Sequence, residues 1–188
     1  MPSEDEVYLT FDDGPVPDVT PFVLDTLARY GAKATFFCVG ENVLKYPALY
    51  QRILDEGHTV GNHTHNHLNG WHTSTKKYLS NTTLAAKHIQ SKLYRPPYGK
   101  LRPAQFRSLK KLYDVVMWDV LSMDYSSKVS PKRCADNVIE NTSAGSIIVF
   151  HDSEKAKVNL EYALPRSMEY FQSRGWKMNK LPNKINLD

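Results

Sequence analysis

Tyr8-Leu9-Thr10-Phe11-Asp12-Asp13-Gly14-Pro15 decides how this chain is read. An apolar-rich run, Val7 to Phe11, ends in two adjacent carboxylates and then a turn. Side chains alternate along an extended segment, so Asp12 and Asp13 face different ways and can take different roles. One can bind a cation while the other accepts a proton. Alone, Asp-Gly-Pro is ordinary turn chemistry. Its weight comes from position: in β/α proteins the residues just past the carboxyl ends of strands build the active site.

Working outward, the chain alternates helix and strand signals. Thr20 reads as an N-cap and Pro21 as a first-turn proline, with Val23, Leu24, Leu27 and Ala28 at helical spacing up to Gly31. Residues 34–39 form a continuous apolar run, the mark of a strand buried on both faces. Pro47 opens a second helix that Gly57 stops, and 58–61 reads as a short strand. A long helix is predicted from about 74 to 93, with Leu79, Ala86, Ile89 and Leu93 on one face. Tyr94-Arg95 is a short strand broken by Pro96-Pro97. Further helices are predicted over 103–112, 131–141 and 162–173, and strands over 115–118, 147–150 and 176–178. About seven strands alternating with about six helices argue for a parallel α/β architecture. Ionisable residues recur after these strands: Asp12, Asp13, His63, Arg95, Asp119 and His151. Scattered surface charges have no reason to collect there.

Composition sets the outer bounds. A chain of 188 residues with 41% hydrophobic and 23% charged content is expected to be one globular domain, 1–188, acting as a monomer. The net charge of +4 is spread along the chain, which permits an anionic polymer as partner and excludes a nucleic-acid footprint. No apolar run is long enough for stable membrane insertion. The acidic start, Met1-Pro2-Ser3-Glu4-Asp5-Glu6, lacks a signal peptide's apolar core. The chain is therefore cytoplasmic, or a leader or anchor is missing from it and it works in the cell envelope or outside the cytoplasm. Cys38 and Cys134 make neither a CxxC pair nor a disulfide framework.

The histidines add chemistry. His63 and His67 are four apart, a spacing that serves two metal ligands on a helical turn or a tight loop. On their own such pairs are commonly polar surface. With one carboxylate of the Asp12-Asp13 pair they make an Asp-His-His set, three protein ligands with a position left open. Imidazole and carboxylate suit Zn, Co, Fe or Mn better than Ca. A cation there acidifies water toward a nucleophile near neutral pH, and the second carboxylate can serve as base. His151, at the end of a buried strand, can act as acid, and Arg95 can hold the base carboxylate in a bidentate pair. His65 is expected to face away, and His58, His72 and His88 read as surface or loop residues.

At this point the chain resembles a known family, the polysaccharide deacetylases of carbohydrate esterase family four, or chitooligosaccharide deacetylase homology domain. Five motifs stand in the family's order. They are Thr10-Phe11-Asp12-Asp13-Gly14-Pro15, His63-Thr64-His65-Asn66-His67, Arg95-Pro96-Pro97-Tyr98-Gly99, Trp118-Asp119-Val120-Leu121-Ser122-Met123-Asp124-Tyr125, and Val149-Phe150-His151. The resemblance runs from Val7 to about Trp176. It implies a distorted (β/α) barrel of about seven parallel strands. It implies Asp12 as catalytic base, oriented by Arg95, and Asp13, His63 and His67 as ligands of a divalent metal. Zinc comes first, with cobalt, manganese, iron or nickel as alternatives. Thr64 would shape the metal loop, the Tyr98 backbone N–H would donate to the oxyanion, and His151 would be the general acid. Pro97, Trp118 and Val149 would line the substrate pocket.

Two positions depart from the pattern. Leu121 stands where the fourth motif begins with aspartate, and Tyr125 stands for tryptophan; Val149 for leucine is conservative. Leucine at 121 predicts a less basic His151, unless Asp119 or Asp124 supplies the missing carboxylate. The implied activity is removal of N-acetyl groups from N-acetylglucosamine units of a glycan, of peptidoglycan or chitooligosaccharide type. The alternatives are a catalytically impaired metal- or carbohydrate-binding homologue and an O-acetyl xylan esterase.

Overall fold

The run at 7–11 becomes the hub of a sheet. The computed structural model describes residues 5–182. Its strands are β1 (Glu6–Asp12), β2 (Thr35–Cys38), β3 (Thr59–Asn62), β4 (Leu93–Tyr94), β5 (Asp114–Val115), β6 (Val120–Leu121), β7 (Ile147–His151) and β8 (Lys177–Asn179). Seven of them run in the order β5-β4-β3-β2-β1-β7-β6, and β8 pairs with the first half of β1. All the pairings are parallel. The two edge strands, β5 and β6, are neighbours in sequence, joined by residues 116–119 alone. The sheet therefore curls into a half-barrel whose seam lies at this connection, and no ladder joins β5 to β6 among the described residues. This is the distorted (β/α) barrel implied by the resemblance. The strand missing from the sequence reading is β6, whose two residues are too few to leave a periodicity.

The helices are α1 (Thr20–Arg29), α2 (Gly40–Lys45), α3 (Pro47–Asp55), α4 (Thr75–Ala86), α5 (Pro103–Leu109), α6 (Pro131–Asn141) and α7 (Lys157–Ser173). Several differ from expectation. Val19, not Thr20, takes the N-cap position of α1; its apolar side chain can make no cap, and the Thr20 hydroxyl donates to Asp152 instead. α4 stops at Ala86, short of 93, and turns Tyr78, Thr82 and Ala85 inward. Residues 116–118 are not strand; they leave β5 along the seam, with Met117 exposed.

The core stacks Phe11 between Phe36 of β2 (5.1 Å) and Phe150 of β7 (6.0 Å). Val23, Leu24 and Leu27 of α1 and Leu160, Leu164 and Met168 of α7 belong to the same buried cluster. Each such side chain contributes about 1.5–3 kcal/mol on burial. Register does the rest. Asp12 lies opposite Phe37 and His151, Cys38 opposite Asn62, and Asn62 opposite Tyr94. Asp12 and His151, with the residues that follow β1, β3 and β4, namely Asp13, His63 and Arg95, therefore emerge at one rim.

Candidate active site

Asp12 ends β1 and is buried. Its Oδ1 accepts a hydrogen bond from Arg95 Nη1 at 2.8 Å. Arg95 is itself fully buried, a costly place for a guanidinium unless its donors are used. They are: Nη1 also reaches Thr10 Oγ1 (2.7 Å), Nη2 the Met117 carbonyl (3.0 Å) and Nε the Val116 carbonyl (3.3 Å). The guanidinium lies over the Phe37 ring at 4.2 Å. The pair is not the bidentate one expected from sequence, because Thr10 and the carbonyls of the 116–117 segment take the remaining donors. Asp12 Oδ2 is left with no protein donor among the described residues and lies 3.9 Å from His63 Nε2.

Asp13 leaves the strand at φ +86°, and alternation does not part the two carboxylates: Asp12 Oδ2 and Asp13 Oδ1 lie 3.9 Å and 3.6 Å from the same His63 Nε2. His63 follows β3, and its Nδ1–H donates to the Arg95 carbonyl at 2.7 Å. A carbonyl can only accept, so the Nε2 lone pair of His63 points into the site. His63 and His67 lie on a loop rather than a helical turn. Thr64 (φ +64°) and His67 (φ +53°) are left-handed there. The Thr64 N–H donates to Asn62 Oδ1 (2.9 Å), and Thr64 Oγ1 accepts from the Leu68 N–H (3.3 Å). His65 is not part of the Asp13-His63-His67 group, as expected.

The three donor atoms lie within 4.8 Å of one another, with Asp13 Oδ1 3.6 Å from His63 Nε2 and 3.1 Å from His67 Nε2. Asp13 Oδ1 is buried with no well-aligned hydrogen-bond donor. Burial holds the His63 ring neutral, with its pKa down to about 4 despite the nearby Asp12 and Asp13 charges. Burial also works against the Asp13 charge, but His67 at hydrogen-bond distance and the charge of His151 hold its carboxyl well below the usual carboxylate range. An anionic oxygen facing the lone pair of a neutral imidazole is repulsive until a cation sits between them. The residues present therefore fit a divalent ion of the zinc type.

The opposite wall is built by β6 and β7. His151 Nδ1–H donates to Asp124 Oδ1 (2.7 Å), and the His151 backbone N–H donates to Asp124 Oδ2 (2.8 Å). Asp124 is fully buried in the turn after β6, where Met123 is left-handed (φ +61°) and Asn159 Nδ2 holds the Asp124 carbonyl (2.9 Å). This corrects the expectation of a less basic His151. Asp124, one of the two alternative carboxylates named from sequence, takes the place beside the ring. Burial opposes the imidazolium, but Asp124, reinforced by Asp13 and Asp12, pushes its pKa up to about 9. Asp119 does not take part. It precedes β6 at the far end of the sheet, and its Oδ2 accepts from the Ile147 N–H (2.9 Å).

Between the walls lies a cleft of about 550 Å³ lined by Asp12, Asp13, His63, His67, Trp118 and His151, with Tyr98, Leu121 and Tyr125 at its sides. Tyr98 is left-handed (φ +60°), its ring packs on His67 at 4.6 Å, and its N–H meets no acceptor among the described residues. Pro97 and Val149, expected in the pocket, are buried and are not among the residues that line it. His58 is no surface residue: it is buried, its Nδ1 accepts the Ala34 N–H (3.2 Å), and burial lowers its pKa to about 4. Asp152 received no role from sequence. It is fully buried beneath the Asp13-Gly14 turn. Burial pushes its carboxyl up to about 8, opposed by the hydrogen bond from Thr20 and aided by the Asp13 charge.

Comparison with known proteins converges on one family. The family model for polysaccharide deacetylase matches residues 1–117. A peptidoglycan-N-acetylglucosamine deacetylase of Bacillus cereus is 35% identical over 184 residues, covering 93% of this chain and 85% of the relative. A chitooligosaccharide deacetylase of Azorhizobium caulinodans is 28% identical over 203 residues, covering 96% and 94%. Among solved structures, a peptidoglycan N-acetylglucosamine deacetylase in complex with 4-naphthalen-1-yl-N-oxidanyl-benzamide superposes with a TM-score of 0.87 at 31% identity, covering 99% of this chain and 90% of that one.

Proposed function

The chain belongs to the polysaccharide deacetylase family, and from that membership and the cleft's geometry we propose that it is a metal-dependent hydrolase removing N-acetyl groups from N-acetylglucosamine units of a glycan. The observation that carries this reading is the placement of two complementary groups across one cleft. Asp12 presents an unengaged Oδ2 on one wall, and His151 presents a ring held by Asp124 on the other.

Asp13, His63 and His67 would hold the divalent ion, which when bound supplies Lewis acidity toward the acetamide carbonyl and water. Asp12, fixed through Oδ1 by Arg95, takes a proton from the attacking water at Oδ2. The unengaged Tyr98 N–H donates to the oxygen that becomes negative. His151 carries its proton on Nε2 as well as Nδ1, because Asp124 stabilises the imidazolium, and hands the Nε2 proton to the departing amine. Acetate and a free amino sugar result. Trp118 walls the cleft where the acetyl group sits.

Relatives named for peptidoglycan and for chitooligosaccharide support a glycan with N-acetylglucosamine units, and those named for peptidoglycan support a cell-wall polymer. No helix among the described residues is long and apolar enough to cross a membrane. The test is acetate release from N-acetylated chitooligomers and peptidoglycan fragments, with O-acetylated xylan alongside, after chelation and after adding back zinc or cobalt. Metal-dependent release from the N-acetyl substrates is expected. Release that ignores chelation, or that occurs only from the O-acetyl substrate, would overturn the reading.

A further inference from the structure

Asp152 is a fully buried carboxyl beside the cleft that the reaction does not use. It follows the acid histidine, yet its side chain points away from the cleft into the turn between β1 and α1. Oδ1 accepts the Gly14 N–H at 3.0 Å and Oδ2 accepts the Thr20 hydroxyl at 2.6 Å. Thr20 Oγ1 in turn accepts the Val16 N–H at 2.8 Å. The Asp152 backbone N–H donates to the Asp12 carbonyl at 3.0 Å. The residue that follows β7 thus ties down Asp12, Gly14 and, through Thr20, Val16, on both sides of Asp13. The fit leaves no slack: a Cβ on Gly14 would stand 1.9 Å from Asp152 Oδ2. Glycine is needed there for close approach of the carboxyl.

Asp13 itself lies at φ +86°, a conformation L residues avoid. Such a backbone persists only where its surroundings hold it. The peptide between Asp13 and Gly14 is held at both ends: Asn42 Nδ2 donates to its carbonyl at 2.8 Å, and Asp152 Oδ1 accepts its N–H at 3.0 Å. From this we infer that Asp152 is a positioning residue for the metal ligand Asp13, acting through Gly14 and Thr20, and that it locks the cation site to the strand bearing the general acid. The inference rests on the reading of Asp13, His63 and His67 as the cation site.

The test is zinc affinity of the full chain, measured by competition with a chromophoric chelator, with acetate release as a second readout. Asp152→Ala leaves the Gly14 N–H and Thr20 hydroxyl without their acceptor. Loss of a group that orients a metal ligand weakens binding by roughly 10–100-fold, and that is the expected change. Should Asp152→Ala fail to fold, the Thr20 pair decides. Thr20→Val keeps the shape and loses the hydroxyl, and is expected to weaken zinc several-fold; Thr20→Ser keeps the hydroxyl and is expected to match wild type. Folded Asp152→Ala binding zinc as tightly as wild type, or Thr20→Val and Thr20→Ser behaving alike, overturns the inference. Wild type that binds no zinc overturns the metal reading instead, so the two failures are distinguishable.

Discussion

On the β1–β3 wall of the cleft, the working groups sit in short stretches of sequence: Asp12 beside Asp13, and His63 four before His67. On the β6–β7 wall, the acid His151 depends on a partner 27 residues upstream. The first wall is held by many bonds at once. Arg95 uses four hydrogen bonds to fix Asp12 and the chain around it, and the Arg95 carbonyl fixes His63. The second wall rests on one carboxylate, Asp124, in a turn that a left-handed Met123 makes possible. A wall with many supports leaves little freedom to its residue types. A wall with one support depends on that one residue keeping its place in the turn.

The strongest way to break this comparison is to attack the first wall. Asp12→Asn keeps the Arg95 contact at Oδ1 and removes the proton acceptor. It should cut kcat/KM by about 10²–10⁴-fold while zinc content, measured by elemental analysis, stays at the wild-type level. His67→Ala should lose both, because a three-ligand site cannot spare one. If Asp12→Asn also emptied the site of metal, the two adjacent carboxylates would not have separate roles.

A smaller effect is expected on the second wall. His151 titrates high because Asp124 stabilises its charged form, so Asp124→Asn must lower that pKa. A general acid works only when protonated, and the alkaline limb of kcat/KM against pH should therefore move to lower pH. A shift of at least about one unit is expected, a loss of roughly tenfold on the alkaline side and little at acid pH. A cation held by Asp13 lowers the ring's pKa in wild type and variant alike, so the difference between them carries the test. An unmoved limb would mean that Asp124 is not the support.

The same contrast explains what was legible in the sequence. β1, α1, α3, α6 and β7 announce themselves by apolar period, proline starts and glycine stops, and they carry Asp12, Asp13 and His151 into place. The HxxxH pair is readable because both ligands lie on one loop. Asp124 could be named only as one of two candidates, since choosing it over Asp119 needs the β6–β7 register. That register sends Asp119 to the far end of β7, against Ile147. β6 itself has two residues and no period of its own. Thr20 looked like a helix cap because a hydroxyl before Pro21 usually is one. Its actual partner, Asp152, is 132 residues away and can be seen only once β7 lies beside β1.

The smallest effect is expected at Leu121, where the resemblance leads us to expect an aspartate. Leu121 lies opposite Val149 in the β6–β7 pairing and lines the cleft together with His151. An aspartate placed there cannot take over the bonds that matter, because Asp124 already accepts both the ring Nδ1–H and the backbone N–H of His151. It can act only through space, at a half-buried position open to water. Two unit charges roughly 6 Å apart in a water-like dielectric interact by about 0.7 kcal/mol, or half a pKa unit. Leu121→Asp should therefore raise the alkaline limb by no more than about half a unit, opposite in sign to Asp124→Asn and smaller. Adding Leu121→Asp to Asp124→Asn should restore part of the lost shift, since the new carboxylate is then the nearest remaining one. The deciding measurement is the set of four pH profiles, for wild type, both single variants and the double variant. A Leu121→Asp shift larger than the one Asp124→Asn produces would make position 121 the proper seat of the charge, with Asp124 as its weaker replacement. The second wall would then be an impaired version of a two-carboxylate design rather than an equivalent one.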